Sequence, residues 1–93
     1  MTYQVVILPS AERELSRLDP PDRRRLDERI LSLSTNPRPP GMKALREAGG
    51  AMRVRVGEWR IIYRIEDARL LVLIIRVGHR RDVYRVRWPA PIR

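Results

Sequence analysis

An α+β fold is what this sequence predicts, with two N-terminal helices packed on one face of a mainly antiparallel sheet. Two observations carry the expectation. Between residues 11 and 35 apolar side chains recur three and four apart, the period of a helix. Between residues 52 and 77 they alternate with polar ones or run on continuously, as strands do, and the breaks between those runs are only of hairpin length. With a short apolar run ahead of the helices the order becomes β-α-α-β-β-β. Helices that precede three hairpin-linked strands can bury their apolar stripes by covering one face of the sheet.

The elements follow in order. Tyr3 to Leu8 reads as a short buried strand that Pro9 ends. Ser10 is a good N-cap, and Glu12 and Glu14 sit where the helix dipole favours acids. Ala11, Leu15 and Leu18 then share one face of a helix over 11–18. Asp19 can cap a second helix with Pro20 in its first turn. Leu26, Ile30 and Leu33 mark its buried side, and it should end near Thr35 because Asn36-Pro37 disfavours continuation. Residues 36–50 form a Pro/Gly-rich connection. Met52, Val54 and Val56 alternate with Arg53 and Arg55, and Gly57-Glu58 makes a tight turn. In the next strand Trp59, Ile61, Tyr63 and Ile65 share one face, while Arg60, Ile62, Arg64 and Glu66 share the other. After a turn at 67–69, Leu70 to Val77 is so apolar that it reads as the central, doubly covered strand, broken by Gly78. Residues 82–87 are a short final strand or turn.

The 93 residues predict one domain spanning 1–93, with 43% hydrophobic residues for a thin core. No run approaches the roughly 20 apolar residues of a membrane span. The N-terminus has no basic segment followed by a long apolar one, so no signal peptide is expected and a cytoplasmic location is the default. Zero cysteines exclude disulfides, thiolate metal sites and a cysteine nucleophile, and a single histidine leaves no zinc-type spacing.

Charge is the most informative feature. Residues 53–87 hold ten arginines against four acidic residues, a net of +6, out of +9 for the whole chain. Arginines projecting from a sheet form an array of forked donors suited to phosphates. The face carrying Arg53, Arg55 and Arg60, with Arg80 as a candidate fourth, is expected to be open, and nucleic acid is the first partner such a face suggests. Tyr63 reads as core, Trp59 as core or as a contact for a protein partner, and Arg23, Arg24 and Arg25 as a solvated helix surface.

The element order, together with NPRPPGMKALR, MRVRVGEWRIIYRI and LLVLIIRVGHRRDVY, resembles the RelE/ParE superfamily of bacterial and archaeal toxins, and its RelE branch in particular. The resemblance covers nearly the whole chain. It implies a small RelE-like α+β ribonuclease that cuts messenger RNA on the ribosome without metal or other cofactor. It also implies a cognate acidic antitoxin that wraps and blocks the toxin. Cleavage in this family proceeds by attack of the RNA 2′-hydroxyl on the adjacent phosphate. The family's basic pair before the turn falls on Arg53 and Arg55, the arginine after the turn on Arg60, the arginine after the "VG" on Arg80, and the C-terminal tyrosine on Tyr84. Arg60 and Arg80 would stabilise the charged transition state. Arg53 and Arg55, with Arg64 and Arg81, would hold mRNA and ribosomal RNA. Relatives carry lysines where this chain has Arg53 and Arg55, and arginine effectively cannot give up its proton, so a lysine-type base is not available there. Tyr84 and His79 both remain as candidate bases. Two other classes stay open: a ParE-like toxin that inhibits DNA gyrase by protein contact, and a non-toxic basic RNA-binding module.

Overall fold

The computed structural model describes residues 2–45 and 49–81; the expected final element over 82–87, with Tyr84, lies outside the described residues. The elements are β1 (Gln4–Ile7), α1 (Pro9–Ser16), α2 (Pro20–Ser32), β2 (Lys43–Leu45), β3 (Ala51–Val56), β4 (Trp59–Glu66), a 3-10 turn (Asp67–Arg69) and β5 (Leu71–His79). They form one five-stranded sheet in the order β1-β5-β4-β3-β2. The β5-β4-β3-β2 neighbours are antiparallel; β1 lies parallel to β5, with Gln4 opposite Leu71 and Ile7 opposite Ile74. The middle strand is therefore β4 and not β5, because β1 adds outside β5 and β2 outside β3.

Local chemistry explains where the observed boundaries depart from the expected ones. Helix α1 begins at Pro9, and Leu8 holds the cap position. Ser10 does not cap; its hydroxyl donates to the Ile75 carbonyl at 2.7 Å. Asp19 does stand at the N-cap of α2 ahead of Pro20, but its side chain makes no capping bond. Helix α2 stops at Ser32. Beyond it, Ser34 and Thr35 hydroxyls donate to the carbonyls three residues back, offering the backbone an alternative to another turn. Strand β2 lies inside the stretch expected to be a connection. Three residues are too few for alternation to show. Gly78 does not break β5, which continues to His79.

The core lies between the helices and one face of the sheet. Ala11 and Leu15 of α1 and Leu26, Ile30 and Leu33 around α2 pack on Val54, Ile61, Tyr63, Val72, Ile74 and Val77. Each fully buried aliphatic side chain contributes about 1.5–3 kcal/mol. A β-bulge makes this list possible. Ile62 pairs with Arg76 but Tyr63 pairs with Ile74, so Ile75 is an extra residue on β5. Without it, strict alternation after Val72 and Ile74 would direct Arg76 into the core. With it, Val77 takes that place. Ile75 joins Ala51 and Ile62 in a second small cluster on the other face, backed by Leu8 and Leu45. The arginine-bearing face is thus not fully open: an apolar island sits within it.

Arg76 instead meets Glu14. Its Nε and Nη2 donate to the two carboxylate oxygens at 2.9 and 2.8 Å, and the Val77 amide donates to the same carboxylate at 2.9 Å. With Leu8 N–H on the Ile74 carbonyl and Ser10 on that of Ile75, α1 covers the edge of β5 where β1 stops. At the far end of the sheet, Arg38 donates twice to Asp67 (3.1 and 2.8 Å) and the Tyr3 hydroxyl donates to the same carboxylate at 2.7 Å. The Arg38 bonds, then that of Tyr3, hold the Asp67 carboxyl down at about 2, and the bond to Asp67 pushes the Tyr3 hydroxyl up. Burial pushes Tyr63 up to about 12, its hydroxyl donating to the Pro37 carbonyl at 2.7 Å.

Candidate functional site

Gly57 and Glu58 join β3 to β4 with Val56 opposite Trp59, a two-residue hairpin whose first loop residue has a φ of 59°. Glycine reaches that conformation without strain, as a hairpin bend of this type requires. The register that follows places Arg55 directly opposite Arg60, and Arg60 opposite Gly78 on β5. Side chains directly opposite in a ladder share a face. Arg55 and Arg60 are therefore neighbours, and β5 contributes no side chain beside Arg60 at that register.

The hairpin bend gathers the arginines. Arg60 Nη1 donates to the Gly57 carbonyl at 3.2 Å and to that of Trp59 at 3.0 Å. Arg55 Nε donates to the Gly57 carbonyl at 3.4 Å. The Arg80 amide donates to the Glu58 carbonyl at 2.8 Å, and its Nε lies 2.7 Å from the Glu58 carboxylate. Three arginines from β3, β4 and the turn after β5 thus meet at two consecutive loop residues. Arg60 is only 8% exposed, yet its Nε has no hydrogen-bond partner among the described residues. A buried, unpartnered guanidinium N–H is costly, and an acceptor brought to it recovers that cost. Arg55, Arg80 and Arg81 are exposed, and Arg53 and Arg64 half-buried.

Not every expected residue is brought to this cluster. Arg53 sits on β3 opposite Ile62, two residues behind Arg55 on the same face, and Arg64 lies further along β4. His79 pairs with Trp59, which packs against the helix-facing core, so it lies on the opposite face from Arg60. The imidazole and indole meet edge to face with centroids 5.7 Å apart. The Arg81 amide donates to His79 Nδ1 at 3.3 Å, a bond that needs Nδ1 unprotonated. Tyr84 is outside the described residues. Among the described residues no three His, Asp or Glu side chains are grouped to hold a metal ion.

Two residues that sequence reasoning did not single out belong to this neighbourhood. Glu58, read only as part of a turn, carries the carboxylate paired with Arg80. Arg25, read as helix surface, lies against Gly57. Neither has a local signature, since both contacts arise from how distant elements pack. A glycine followed by an acid at a bend between arginine-bearing strands was the one available hint for Glu58.

Comparison with known proteins bears on this arrangement. A family model described as the ParE toxin of type II toxin–antitoxin systems matches residues 5–84. The chain is 37% identical to Toxin RelG of Mycobacterium tuberculosis over 94 residues, covering 91% of this chain and 99% of that protein. Among solved structures it is similar to a chain of the toxin–antitoxin complex RelBE2 of the same organism, with 34% identity, a TM-score of 0.78, and coverage of 85% of this chain and 99% of that one. A chain of the archaeal RelE–RelB complex of Pyrococcus horikoshii matches at 26% identity with a TM-score of 0.76, covering 89% and 100%. The fold is shared as well with the isolated E. coli RelE toxin, at a TM-score of 0.72 over 89% and 92% of the two chains. With a family model spanning most of the chain and a curated toxin alike over nearly its whole length, this protein belongs to the RelE/ParE superfamily of type II toxin–antitoxin toxins.

Proposed function

We propose that this toxin is an endoribonuclease that cleaves messenger RNA on the ribosome and so stops translation, with arginines rather than a metal ion supplying the positive charge. The observation that carries the reading is the convergence of Arg55, Arg60 and Arg80 on the Gly57-Glu58 bend. The scissile phosphate would sit against Arg60 and Arg80. A base takes the proton of the 2′-hydroxyl, the 2′-oxygen attacks phosphorus, and the bond to the 5′-oxygen breaks as that oxygen gains a proton. Negative charge gathers on the equatorial oxygens of the phosphorane. Arg60, its guanidinium held by the Gly57 and Trp59 carbonyls, would meet that charge with its orientation already fixed. Removing one such donor costs about 2.7–4 kcal/mol of barrier. Arg53, Arg55, Arg64 and Arg81 hold the RNA and ribosomal phosphates on either side. Tyr84 serves as the base; the position of His79 beside Trp59, across the sheet from Arg60, supports the tyrosine. Positioning by the ribosome supplies a large share of the rate.

The complexes RelBE2 and RelE–RelB, to which this chain is similar, each pair a toxin with an antitoxin. By the same logic a cognate acidic antitoxin covers the Arg53, Arg55 and Arg60 face of this cytoplasmic toxin or displaces the segment bearing Tyr84. Mapping the ends of cut mRNA tests the chemistry. A 2′,3′-cyclic phosphate and a 5′-hydroxyl are expected; a 3′-hydroxyl with a 5′-phosphate overturns the proposal. A second reading has one specific observation in its favour, the ParE description of the matching family model. A ParE-like toxin would act on DNA gyrase by protein contact and need no catalytic set. Growth arrest that survives Arg60→Ala, Arg80→Ala and Tyr84→Phe with no RNA cut favours it.

A further inference from the structure

Gly57 has a third guanidinium beside it. A Cβ built there would lie 2.8 Å from Arg25 Nη2 and 3.7 Å from its Nη1 and Cζ, so the end of the Arg25 side chain rests against the glycine. Arg55 and Arg60 both donate to the carbonyl of the same glycine. Cations from α2, β3 and β4 therefore crowd around one residue.

Arg25 differs from Arg23, two residues before it, in its partners. Arg23 is engaged by Glu12 and Asp27, at 3.3 and 3.0 Å. Arg25 has no carboxylate partner among the described residues. It lines an open cleft of about 380 Å³ with Glu28, Arg29, Ser32, Arg55 and Val56. The cleft follows the edge of β3 beyond Arg53, where pairing with β2 has ended. Arg29 Nε is buried there without a hydrogen-bond partner among the described residues. Three arginines and one acid surround a space that shares Arg55 with the candidate site. Like charges held this close repel one another, and a polyanion relieves the repulsion.

We propose that Arg25 is a phosphate-binding residue, and that the cleft between α2 and β3 continues the RNA track around the hairpin, holding a phosphodiester beyond the one that is cut. The inference rests on the reading of Arg55 and Arg60 as an RNA face and extends it to a helix.

The test uses a fluorescent single-stranded RNA made uncleavable by 2′-O-methylation, with anisotropy read across a salt series. Each lost phosphate contact on a single strand lowers the magnitude of the log–log salt slope by about 0.7. R25Q should show that decrease, so between 50 and 200 mM salt the wild type should lose about 2.5-fold more affinity than the variant. R25K, which keeps the charge, should retain the wild-type slope. R24Q, on the same helix but facing the groove between α1 and α2, should match the wild type. Wild-type binding with an unchanged R25Q slope overturns this inference alone. A wild type that does not bind the RNA overturns the RNA face as a whole and this inference with it. A slope that R25Q leaves unchanged for RNA but lowers for an acidic peptide of equal charge assigns the cleft to a protein partner and likewise overturns the proposal.

Discussion

Replacing Glu14 with alanine should destabilise the fold by about 3 kcal/mol. The carboxylate accepts two bonds from Arg76 and one from the Val77 amide, all between 2.8 and 2.9 Å. The Arg76 side chain is only 10% exposed and that of Glu14 22%. Alanine leaves a buried cation without its counter-ion and a strand amide without its acceptor. Breaking a buried pair from one side costs about 3–5 kcal/mol, and the partial access of water to Glu14 places the value at the lower end. For a domain of this size each kcal/mol moves the melting temperature by about 4–8 °C, so the midpoint should fall by about 12–24 °C. Urea and thermal unfolding followed by circular dichroism would read the global loss. Hydrogen exchange at the Val77 amide would read the local one. Removing the second charge as well, as in Glu14→Ala with Arg76→Met, should recover part of that loss, since no buried cation is then left without its counter-ion. A loss below about 1 kcal/mol, the range of an exposed pair, would refute the argument. So would a double variant less stable than the single one.

Three further outcomes can be checked. Asp67 is held below its unfolded value by Arg38 and Tyr3, so its contribution to stability is present above pH about 4 and lost as pH falls toward 2; urea midpoints of wild type and Asp67→Asn should converge over that window, and parallel curves would show that the bonds from Arg38 and Tyr3 to Asp67 do not stabilise the fold. Single-turnover cleavage should fall about 10²- to 10⁴-fold in Tyr84→Phe, while His79→Gln retains most of it; the reverse pattern hands the base to the histidine. Glu58→Gln removes the anion beside Arg80 but keeps the backbone bond to the Arg80 amide, so the salt slope of RNA binding should steepen by about 0.7, and an unaltered slope would show that Glu58 does not compete with phosphate.

Much of this fold was legible because its elements announce themselves by period. The core predicted from spacing, with Leu15, Leu26, Ile30 and Leu33 on the helices and Val54, Ile61 and Tyr63 on the strands, is the core observed. What spacing could not reveal is long-range. The parallel seat of β1 beside β5 joins residues nearly seventy positions apart, and nothing in Val5-Val6-Ile7 names that partner. The bulge at Ile75 is equally silent, since Leu71 to Val77 without its arginine is apolar on every side. The same limit holds at the candidate site. Alternation put Arg55 and Arg60 on one face and the short turn made them neighbours. Alternation also put Trp59 on the other face, but the bulge and the extension of β5 through Gly78 carry His79 there with it. Arg25 and Glu58 acquire their meaning only from packing between elements.

The strand that completes this sheet is the last one described, and both N-terminal elements depend on it. Among the described residues β1 has no other strand partner, and α1 is fastened to the edge of β5 through Glu14. A chain growing from its N-terminus has made β1, α1 and α2 long before Leu71 exists. Until then β1 has no ladder to join and Glu14 no cation to hold. The β3-β4 hairpin can close early because its contacts are local, but the non-local pairing must wait. Arg80 meets Glu58 at that same final stage. A ribosome halted before residue 70 therefore releases a chain that can bring Arg55 beside Arg60 in its hairpin but has no Arg80 to join them. The Arg55, Arg60 and Arg80 cluster is therefore complete only when the whole sheet is.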